Sequence, residues 1–200
     1  MFSGIVETQG RVLSAAKDRE LVRITVERPN EFDDIKVGDS ICSSGVCLTV
    51  ETFNDHQMTF ALGNETLKIT GWTQGSLENA ILNLERSLRF GDRIHGHLVS
   101  GHVDGVGTVQ KIEDLGGSVQ VDIRAPKELL RYFWKKGSWA VNGVSLTIND
   151  VENDIVSVCL IPETLKRTNL SRLKPGDRVN LEIDTMARGL VQFMENRSNQ

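Results

Sequence analysis

The chain has 200 residues, of which 39% are hydrophobic and 25% charged, and its formal net charge is −4 at pH 7. This composition is typical of a globular protein with one large domain or two of about 100 residues. The acidic balance, without a Lys/Arg run, argues against a nucleic-acid partner.

The same sequence predicts where the protein works. The longest apolar runs are too short to span a membrane, and the first residues lack the basic and apolar regions of a signal peptide. Three cysteines without a CxxC pair favour a reducing compartment. We therefore expect a cytoplasmic protein with no membrane partner.

Taken in chain order, the predicted elements are mostly short strands with glycine-rich turns. Many such strands in about 95 residues favour an all-β fold with a closed antiparallel barrel, which leaves no sheet edge exposed. Alternating hydrophobic and polar residues place the strands at 22–27, 46–50, 58–62, 119–124, 144–148 and 155–161.

Two segments are predicted to be helices. The segment 126–136 opens with a proline and closes on two lysines, an arrangement that suits the helix dipole. The tail at 185–197 places Met186, Leu190 and Met194 four residues apart on one face. This apolar face follows the last predicted strand, so we expect it to need a partner.

A tandem repeat organises the chain. Four segments recur in the same order at a spacing of 97 or 98 residues, which predicts two similar domains that sit against one another. The predicted domains are 1–97 and 98–185, followed by a C-terminal helix at 186–200. The recurring pairs are 3–7 and 100–104, 40–50 and 138–148, 65–68 and 163–166, and 83–85 and 180–182.

Cys47 is a candidate nucleophile. A thiol on a strand is suited to covalent catalysis, and the alternative is a small, buried strand residue. Its repeat partner is Ser145, which keeps a polar γ atom at the same place. That substitution favours contact with a ligand in both copies.

Three histidines form a cluster at His95, His97 and His102. The cluster lacks an acidic residue at a spacing that would complete a metal site, and Asp104 is the nearest acid. We therefore expect no metal. His102, next to Gly101, is interpreted as a hydrogen-bonding or acid/base group.

The two Glu-Thr-Leu-Lys segments, at 65–68 and 163–166, each follow a predicted strand. Hydroxyls and free backbone N–H groups at a strand end suit the edge of a planar heterocycle, and a helix cap is the alternative. Asp184 follows the last strand, where it could orient a substrate or act as a base. A helix N-terminal acid is the alternative there.

Four kinds of motif together cover nearly the whole chain: the opening at 1–7, S-x4-G-V-[CS]-L-T-[VI] at 40–50 and 138–148, E-T-L-K-x-T at 65–70 and 163–168, and the stretch at 96–107. In these motifs the chain resembles the riboflavin synthase family. The resemblance implies two tandem six-stranded Greek-key barrels and a C-terminal helix that holds a homotrimer.

The resemblance also implies a reaction. Two molecules of 6,7-dimethyl-8-ribityllumazine dismutate by transfer of a four-carbon unit, giving riboflavin and 5-amino-6-ribitylaminouracil. Such an enzyme is a transferase that needs no cofactor and no metal. Lumazine synthase is a further partner that the resemblance raises.

Site residues follow from the same resemblance. Catalytic roles are implied for Ser40, Cys47, His102, Thr147 and Asp184. Ligand contacts are implied in the first barrel for Gly4, Ile5, Val6, Cys47, Leu48, Thr49, Ala61, Leu62, Gly63, Asn64, Glu65 and Thr66. In the second barrel they are implied for Gly101, His102, Val103, Lys136, Ser145, Leu146, Thr147, Leu160, Ile161, Pro162, Glu163, Thr164 and Leu165.

The first copy departs from the family pattern at three places. Ser44 stands where the family usually has Asn, Ala61 where it often has Asp, and a Gly-Asp pair is missing before Asn83. The alternative function is therefore a non-catalytic carrier of lumazine or flavin. A flavin reductase is excluded, because the chain has no room for a nicotinamide-binding βαβ unit.

Overall fold

Two closed antiparallel barrels of six strands each make up most of the fold, which confirms the all-β prediction. The computed structural model describes residues 1–198. In the first barrel the elements are β1 (Thr8–Asp18), β2 (Leu21–Glu27), β3 (Ser40–Ser43), β4 (Val46–Phe53), β5 (Gln57–Leu62), α1 (Asn64–Thr70), α2 (Gln74–Leu77) and β6 (Ile81–Arg86).

The second barrel repeats this order with different helices. Its elements are β7 (Gly105–Asp114), β8 (Val119–Arg124), a 3₁₀ helix (Lys127–Tyr132), β9 (Ser138–Val141), β10 (Val144–Glu152), β11 (Ile155–Leu160), α3 (Pro162–Arg167), a second 3₁₀ helix (Asn169–Arg172) and β12 (Arg178–Ile183). Around the first barrel the strands follow β1-β2-β5-β4-β3-β6, and their repeat partners follow the same circuit around the second.

Each barrel has its own core, built from the inward positions of the alternating strands. On β2, Val22, Ile24 and Val26 are buried, and Ile24 pairs with Phe60 across the β2–β5 ladder. The β4–β5 register shifts after Val50, as does the equivalent β10–β11 register, so both barrels bend at the same place.

The barrels contact each other directly, as the tandem repeat predicted. Phe2 and Val99 form an isolated antiparallel bridge, with N–H···O distances of 2.7 and 3.0 Å. Together with Cys42 of β3 and Ala140 of β9 they form a small apolar cluster apart from the two barrel cores. Equivalent residues of the two repeats therefore meet around an approximate two-fold axis.

The first departure from the family pattern lies at this interface. Ser44 and Asn142 both adopt a left-handed conformation, with φ of 46° and 47°, in equivalent hairpin turns. The Ser44 hydroxyl accepts the Asn83 N–H at 3.0 Å, and the Asn142 amide oxygen accepts the Asn180 N–H at 2.8 Å. Serine therefore makes the hydrogen bond that asparagine makes in the second copy. Each turn also accepts a hydrogen bond from the other barrel, Ser44 C=O from Asn180 Nδ2 and Asn142 C=O from Asn83 Nδ2, both at 2.9 Å.

The missing Gly-Asp pair is also compensated within the fold. Gly176 of the second copy has a φ of 95°, and Asn79 takes a φ of 61° at the equivalent position. Asparagine enters the left-handed region more readily than most other residues because its side chain is short and polar. The turn before β6 therefore keeps its shape without the glycine.

The predicted helix at 126–136 is wrong in type and length. The structure has a 3₁₀ helix at Lys127–Tyr132, and the backbone at Phe133 is extended. The Phe133 ring packs edge-on against Trp139, with ring centroids 5.0 Å apart. Drawing this ring into the core of the second barrel ends the helix before the lysines are reached.

The C-terminal helix is confirmed as α4 (Thr185–Ser198), and residues 199–200 of the predicted tail lie outside the described residues. Its buried face includes Ala187, whereas Met186, Leu190 and Phe193 are 74%, 58% and 59% exposed. Met194 is also exposed. Among residues 1–198, no helix combines the length and apolar content that crossing a membrane requires.

Candidate functional site

Two loops cross from one barrel to the other and shape the candidate sites. The N-terminal loop (residues 3–6) reaches the second barrel, where Gly4 C=O accepts the Ser145 N–H at 2.7 Å. The linker loop (residues 100–103) reaches the first barrel, where Gly101 C=O accepts the Cys47 N–H at 2.8 Å. Each loop therefore contacts the barrel of the other repeat, and its contact with a ligand stays a prediction.

The glycines in these loops allow the close approach. Gly4 and Gly101 have φ angles of 73° and 79°, which side-chain-bearing residues rarely adopt. A Cβ on Gly4 would lie 2.6 Å from Ser145 Cβ, and one on Gly101 would lie 2.6 Å from Cys47 Cβ. Glycine is thus required at both crossings for conformation and for space.

Valines secure each loop on the barrel that it crosses to. Val6 is buried in the core cluster of the second barrel, and Val103 packs against the core of the first. Ile5 and His102, which occupy equivalent positions between glycine and valine, are both exposed. The loop positions that face solvent are therefore the ones that differ between the copies.

The first site is the outer surface of the first barrel around Cys47. Cys47 is half-buried and Thr49 exposed on β4, and Ala61 is half-buried on the neighbouring β5. Leu48 and Leu62 are buried in the core, so they offer the surface their backbone alone. The remaining predicted residues lie at the start of α1, with Gly63 and Thr66 half-buried and Asn64 and Glu65 exposed.

The second site is the equivalent surface around Ser145. Thr147 is exposed on β10, while Leu146 and Leu160 point into the core. The Lys136 N–H donates to Ile148 C=O at 2.8 Å, which places this residue beside β10. Before and within α3, Ile161, Pro162 and Glu163 are exposed, Thr164 is half-buried, and Leu165 packs against the barrel core.

The helix-cap interpretation of the Glu-Thr-Leu-Lys segments is only partly right. Both segments form helices, α1 and α3, but their N-caps are Gly63 and Ile161, without a side-chain cap hydrogen bond. Thr66 and Thr164 lie inside the helices, where each C=O accepts a hydrogen bond from the Thr hydroxyl four residues later. The exposed first turns face solvent beside the ends of β5 and β11.

Sequence reasoning missed the histidine that contacts Ser145. His97 Nδ1 lies 2.7 Å from Ser145 Oγ, and Nε2 is buried without a hydrogen-bond partner among residues 1–198. Burial lowers the pKa of His97, against the charge of Asp184, which raises it. A neutral imidazole can take a proton from the serine hydroxyl, and the imidazolium that forms can return it. The contact spans 48 residues, and His97 also donates its backbone N–H to Ser3 C=O of the N-terminal loop at 3.2 Å.

The three histidines do not form one cluster. His97 faces the second site, His102 is exposed on the loop beside Cys47, and His95 lines a separate cleft. Within residues 1–198, no group of three or more His, Cys, Asp or Glu side chains could hold a metal ion. The shared sequence spacing therefore does not correspond to a shared site.

Asp184 takes the position that the helix-cap alternative described. Its Oδ1 accepts the Met186 N–H at 2.8 Å, and its C=O accepts the Arg188 N–H at 3.0 Å at the start of α4. The carboxylate nevertheless influences the pKa of His97. Asp184 therefore joins the helix start to the second site.

The remaining predicted residue, Ser40, is half-buried on β3 and pairs with Thr49 of β4. It also lines an open cleft of about 960 Å³ on the first barrel, together with Ile5 and several ion-paired residues. Cys47 and Ser145 lie outside this cleft. The two predicted sites are therefore separate from this cleft.

Comparison with known proteins agrees with this duplicated architecture. The lumazine binding domain family matches twice, at residues 3–87 and 100–184. The riboflavin synthase of Actinobacillus pleuropneumoniae is 38% identical over 97% of this chain and 90% of that protein. The chain belongs to the riboflavin synthase family.

Other members of the riboflavin synthase family and a structural relative support the same assignment. The riboflavin synthase of Bacillus subtilis is 36% identical over 100% of this chain and 94% of that protein. A crystal structure of LumP complexed with riboflavin superposes with a TM-score of 0.84, at 26% identity, over 92% of this chain and 99% of that one. The two barrels are therefore two lumazine binding domains.

Proposed function

We propose that this chain is a riboflavin synthase, which transfers a four-carbon unit between two molecules of 6,7-dimethyl-8-ribityllumazine. The observation that carries the proposal is the presence of two equivalent surfaces in one chain, each contacted by a loop from the other repeat. A reaction between two identical molecules needs two such surfaces. The similarity to riboflavin synthases over nearly the whole chain, at 36–38% identity, supports the proposal.

The two surfaces are proposed to hold the two lumazines in different chemical settings. Cys47 and His102 stand at the first site, and Ser145, His97 and Asp184 at the second. One lumazine loses a proton from its C7 methyl group, and the other is attacked at its own C7 carbon. Hydroxyls, backbone donors and a neutral imidazole stabilise the first event, and a thiol or bound water assists the second.

Assembly is part of the proposal. The exposed apolar residues of α4 support a homotrimer in which the first barrel of one chain faces the second barrel of its neighbour. Holding two reactants face to face supplies much of the acceleration in such reactions. Action in the cytoplasm and association with lumazine synthase are proposed on the resemblance.

The test is a mixture of the purified chain with 6,7-dimethyl-8-ribityllumazine and a chelator, without added cofactor. We expect riboflavin and 5-amino-6-ribitylaminouracil in equal amounts, followed by fluorescence and chromatography. The Gly101→Ala variant serves as the matched control, because the added Cβ would collide with Cys47 at one site. Turnover that stops with the chelator and returns with zinc would contradict the metal-free proposal.

The second candidate function is a non-catalytic carrier of lumazine or flavin, which the similarity to LumP favours. This chain has a polar γ atom and a histidine at both sites, which supports the catalytic interpretation. A carrier would bind the lumazine tightly and leave it unchanged. Binding without product formation, measured on the same sample, would decide for this alternative.

A further inference from the structure

A buried carboxylate of the second barrel holds the loop that shapes the first site. Glu182 on β12 is 2% exposed. Its Oε1 accepts the Ser100 N–H at 2.6 Å and the Ser100 hydroxyl at 2.7 Å, and its Oε2 accepts the Gly101 N–H at 2.9 Å. Both carboxylate oxygens are thus committed to the linker loop.

The first barrel contains the same device. Glu85 on β6 is 4% exposed, and its Oε1 accepts the Ser3 N–H at 2.6 Å and the Ser3 hydroxyl at 2.8 Å. Its Oε2 accepts the Gly4 N–H at 3.0 Å. The same three donors therefore bind the same two oxygens in both repeats, 97 residues apart.

The glycine of each loop is hydrogen-bonded to both barrels. Gly101 receives one hydrogen bond from Cys47 of the first barrel and gives one to Glu182 of the second. Gly4 does the same between Ser145 and Glu85. Two short chains of hydrogen bonds therefore cross the interface between the barrels, in opposite directions.

We propose that Glu182 is a positioning residue for the first site and Glu85 for the second, so that each barrel orients the site of the other. The proposal rests on the proposed function in one respect, which is that the Cys47 and Ser145 surfaces bind the lumazines. Neither carboxylate contacts the reacting atoms in this arrangement. Each fixes the loop whose exposed residue, His102 or Ile5, borders the ligand.

The chemistry of the contact explains why glutamate is needed. When ionised, the carboxylate offers acceptors on both oxygens, and charge-assisted hydrogen bonds are stronger than neutral ones. Glutamine keeps the volume but replaces one acceptor by an NH2 group, which would face a backbone N–H or the serine hydroxyl. The Glu→Gln change therefore releases part of the loop without creating a cavity.

The experiment measures alkylation of Cys47 by iodoacetamide, site by site, by peptide mass spectrometry in the absence of ligand. We expect Glu182→Gln to raise the Cys47 rate roughly tenfold, as for loss of one charge-assisted hydrogen bond that restrains the loop. Glu85→Gln is the matched control and should leave that rate unchanged. Buried Cys42 reports global unfolding, and its rate should stay low in both variants.

The reciprocal measurement uses the thiol introduced by Ser145→Cys. Here Glu85→Gln should raise the rate and Glu182→Gln should not. If a Glu→Gln variant fails to fold, Ser100→Ala and Ser3→Ala remove one donor each and should give smaller changes with the same crossed pattern. Equal effects on both thiols, or an effect confined to the barrel that carries the mutation, would overturn the proposal.

These outcomes are independent of catalysis. The crossed pattern of thiol rates can appear in a chain that makes no riboflavin, in which case the proposed function fails and the positioning role stands. Conversely, an active chain without the crossed pattern would refute the positioning role alone. In an active chain, Glu182→Gln should also weaken lumazine binding at the first barrel more than Glu85→Gln does.

Discussion

The two barrels share their backbone architecture and differ in the chemistry of their outer surfaces. Cys47 on the first corresponds to Ser145 on the second, and the loop residue over each site is His102 or Ile5. Because each loop crosses to the barrel of the other repeat, the Cys47 thiol and His102 lie at the same barrel. In the sequence they belong to different repeats. The comparison teaches that a duplicated fold can assign different tasks to its copies through a few exposed positions.

The second barrel has its own polar pair instead. His97 Nδ1 and Ser145 Oγ are 2.7 Å apart, and Asp184 influences the imidazole. The buried parts of both barrels are alike, because Glu85 and Glu182 make the same hydrogen bonds. Variants can therefore separate what the barrels share from what distinguishes them.

The largest effect is expected from removing most of α4, which tests whether the two barrels of one chain can serve each other. Deleting the chain from Gly189 onward keeps buried Ala187 and the 2.8 Å ion pair between Arg188 and Asp104. It removes the exposed apolar face that includes Leu190 and Phe193. We expect monomers by light scattering and a roughly thousandfold or greater loss of turnover, because the two reactants are no longer held together.

A change of Arg188→Ala in the full-length chain is the control, since it removes the ion pair and keeps the apolar face. We expect this variant to remain oligomeric. A truncated chain that is monomeric and fully active would show that the barrels of one chain form the complete site by themselves.

The next effect concerns a property that both barrels share. Burial raises the pKa of Glu85 to about 7 from the usual 4.5, with Glu7 acting in the same direction and the hydrogen bonds from Ser3 and Gly4 acting against it. Between these values the folded chain binds more protons than the unfolded chain. Protonation of Glu85 therefore stabilises the native chain relative to the Glu85→Gln variant. This advantage is greatest below pH 4.5 and is lost as the pH rises through about 7.

The expected loss is about 3.5 kcal/mol at most, since each pH unit between 4.5 and about 7 corresponds to ~1.4 kcal/mol. Urea unfolding of both chains between pH 4.5 and 8 measures it. Burial also raises the pKa of Glu182, so Glu182→Gln should show the same sign. A free-energy difference that stays constant with pH would show that Glu85 does not titrate in this range.

A smaller effect is expected from Gly101→Ala and Gly4→Ala, which separate the two sites. Each added Cβ would meet Cys47 or Ser145 at 2.6 Å in a left-handed backbone conformation. We expect each loop to shift away from the added carbon. The cost is about 2 kcal/mol, which corresponds to a roughly thirtyfold lower kcat/KM. Gly176→Ala is the control, because it has a similar φ of 95° and no atom of residues 1–198 within 4 Å of the added carbon.

Ligand titrations show which site each change affects. Gly101→Ala should weaken binding at the first barrel and Gly4→Ala at the second, the reverse of their positions in the repeat. Loss at the barrel of the same repeat would contradict the exchange of the two loops.

The smallest effect is expected from exchanging the polar atoms themselves. Cys47→Ser should lower turnover about tenfold, or ~1.4 kcal/mol, and affect lumazine binding less, because the hydroxyl keeps a hydrogen bond and loses nucleophilicity. Ser145→Cys should change turnover less. Steady-state kinetics with separate kcat and KM values measures both, and unchanged kinetics in Cys47→Ser would make the thiol a packing residue.

The sequence alone determined the architecture of this protein. The alternation on strands such as β2 places Val22, Ile24 and Val26 on one face, and the repeat multiplies that pattern into two barrels. The tail helix was also readable, since its period of four is a property of neighbouring residues. Patterns of this kind depend on the local geometry of a strand or helix, so they can be recognised from the spacing of apolar residues in the sequence.

Tertiary structure decided which residues meet. The crossing of Gly4 to Ser145, of Gly101 to Cys47 and of His97 to the same Ser145 depends on how two finished barrels dock. The 3₁₀ helix at 127–132 likewise ends where Phe133 packs against Trp139, a contact between residues of different elements. These contacts arise from the packing of whole surfaces and from buried carboxylates that require partners, and neither leaves a periodic trace in the chain.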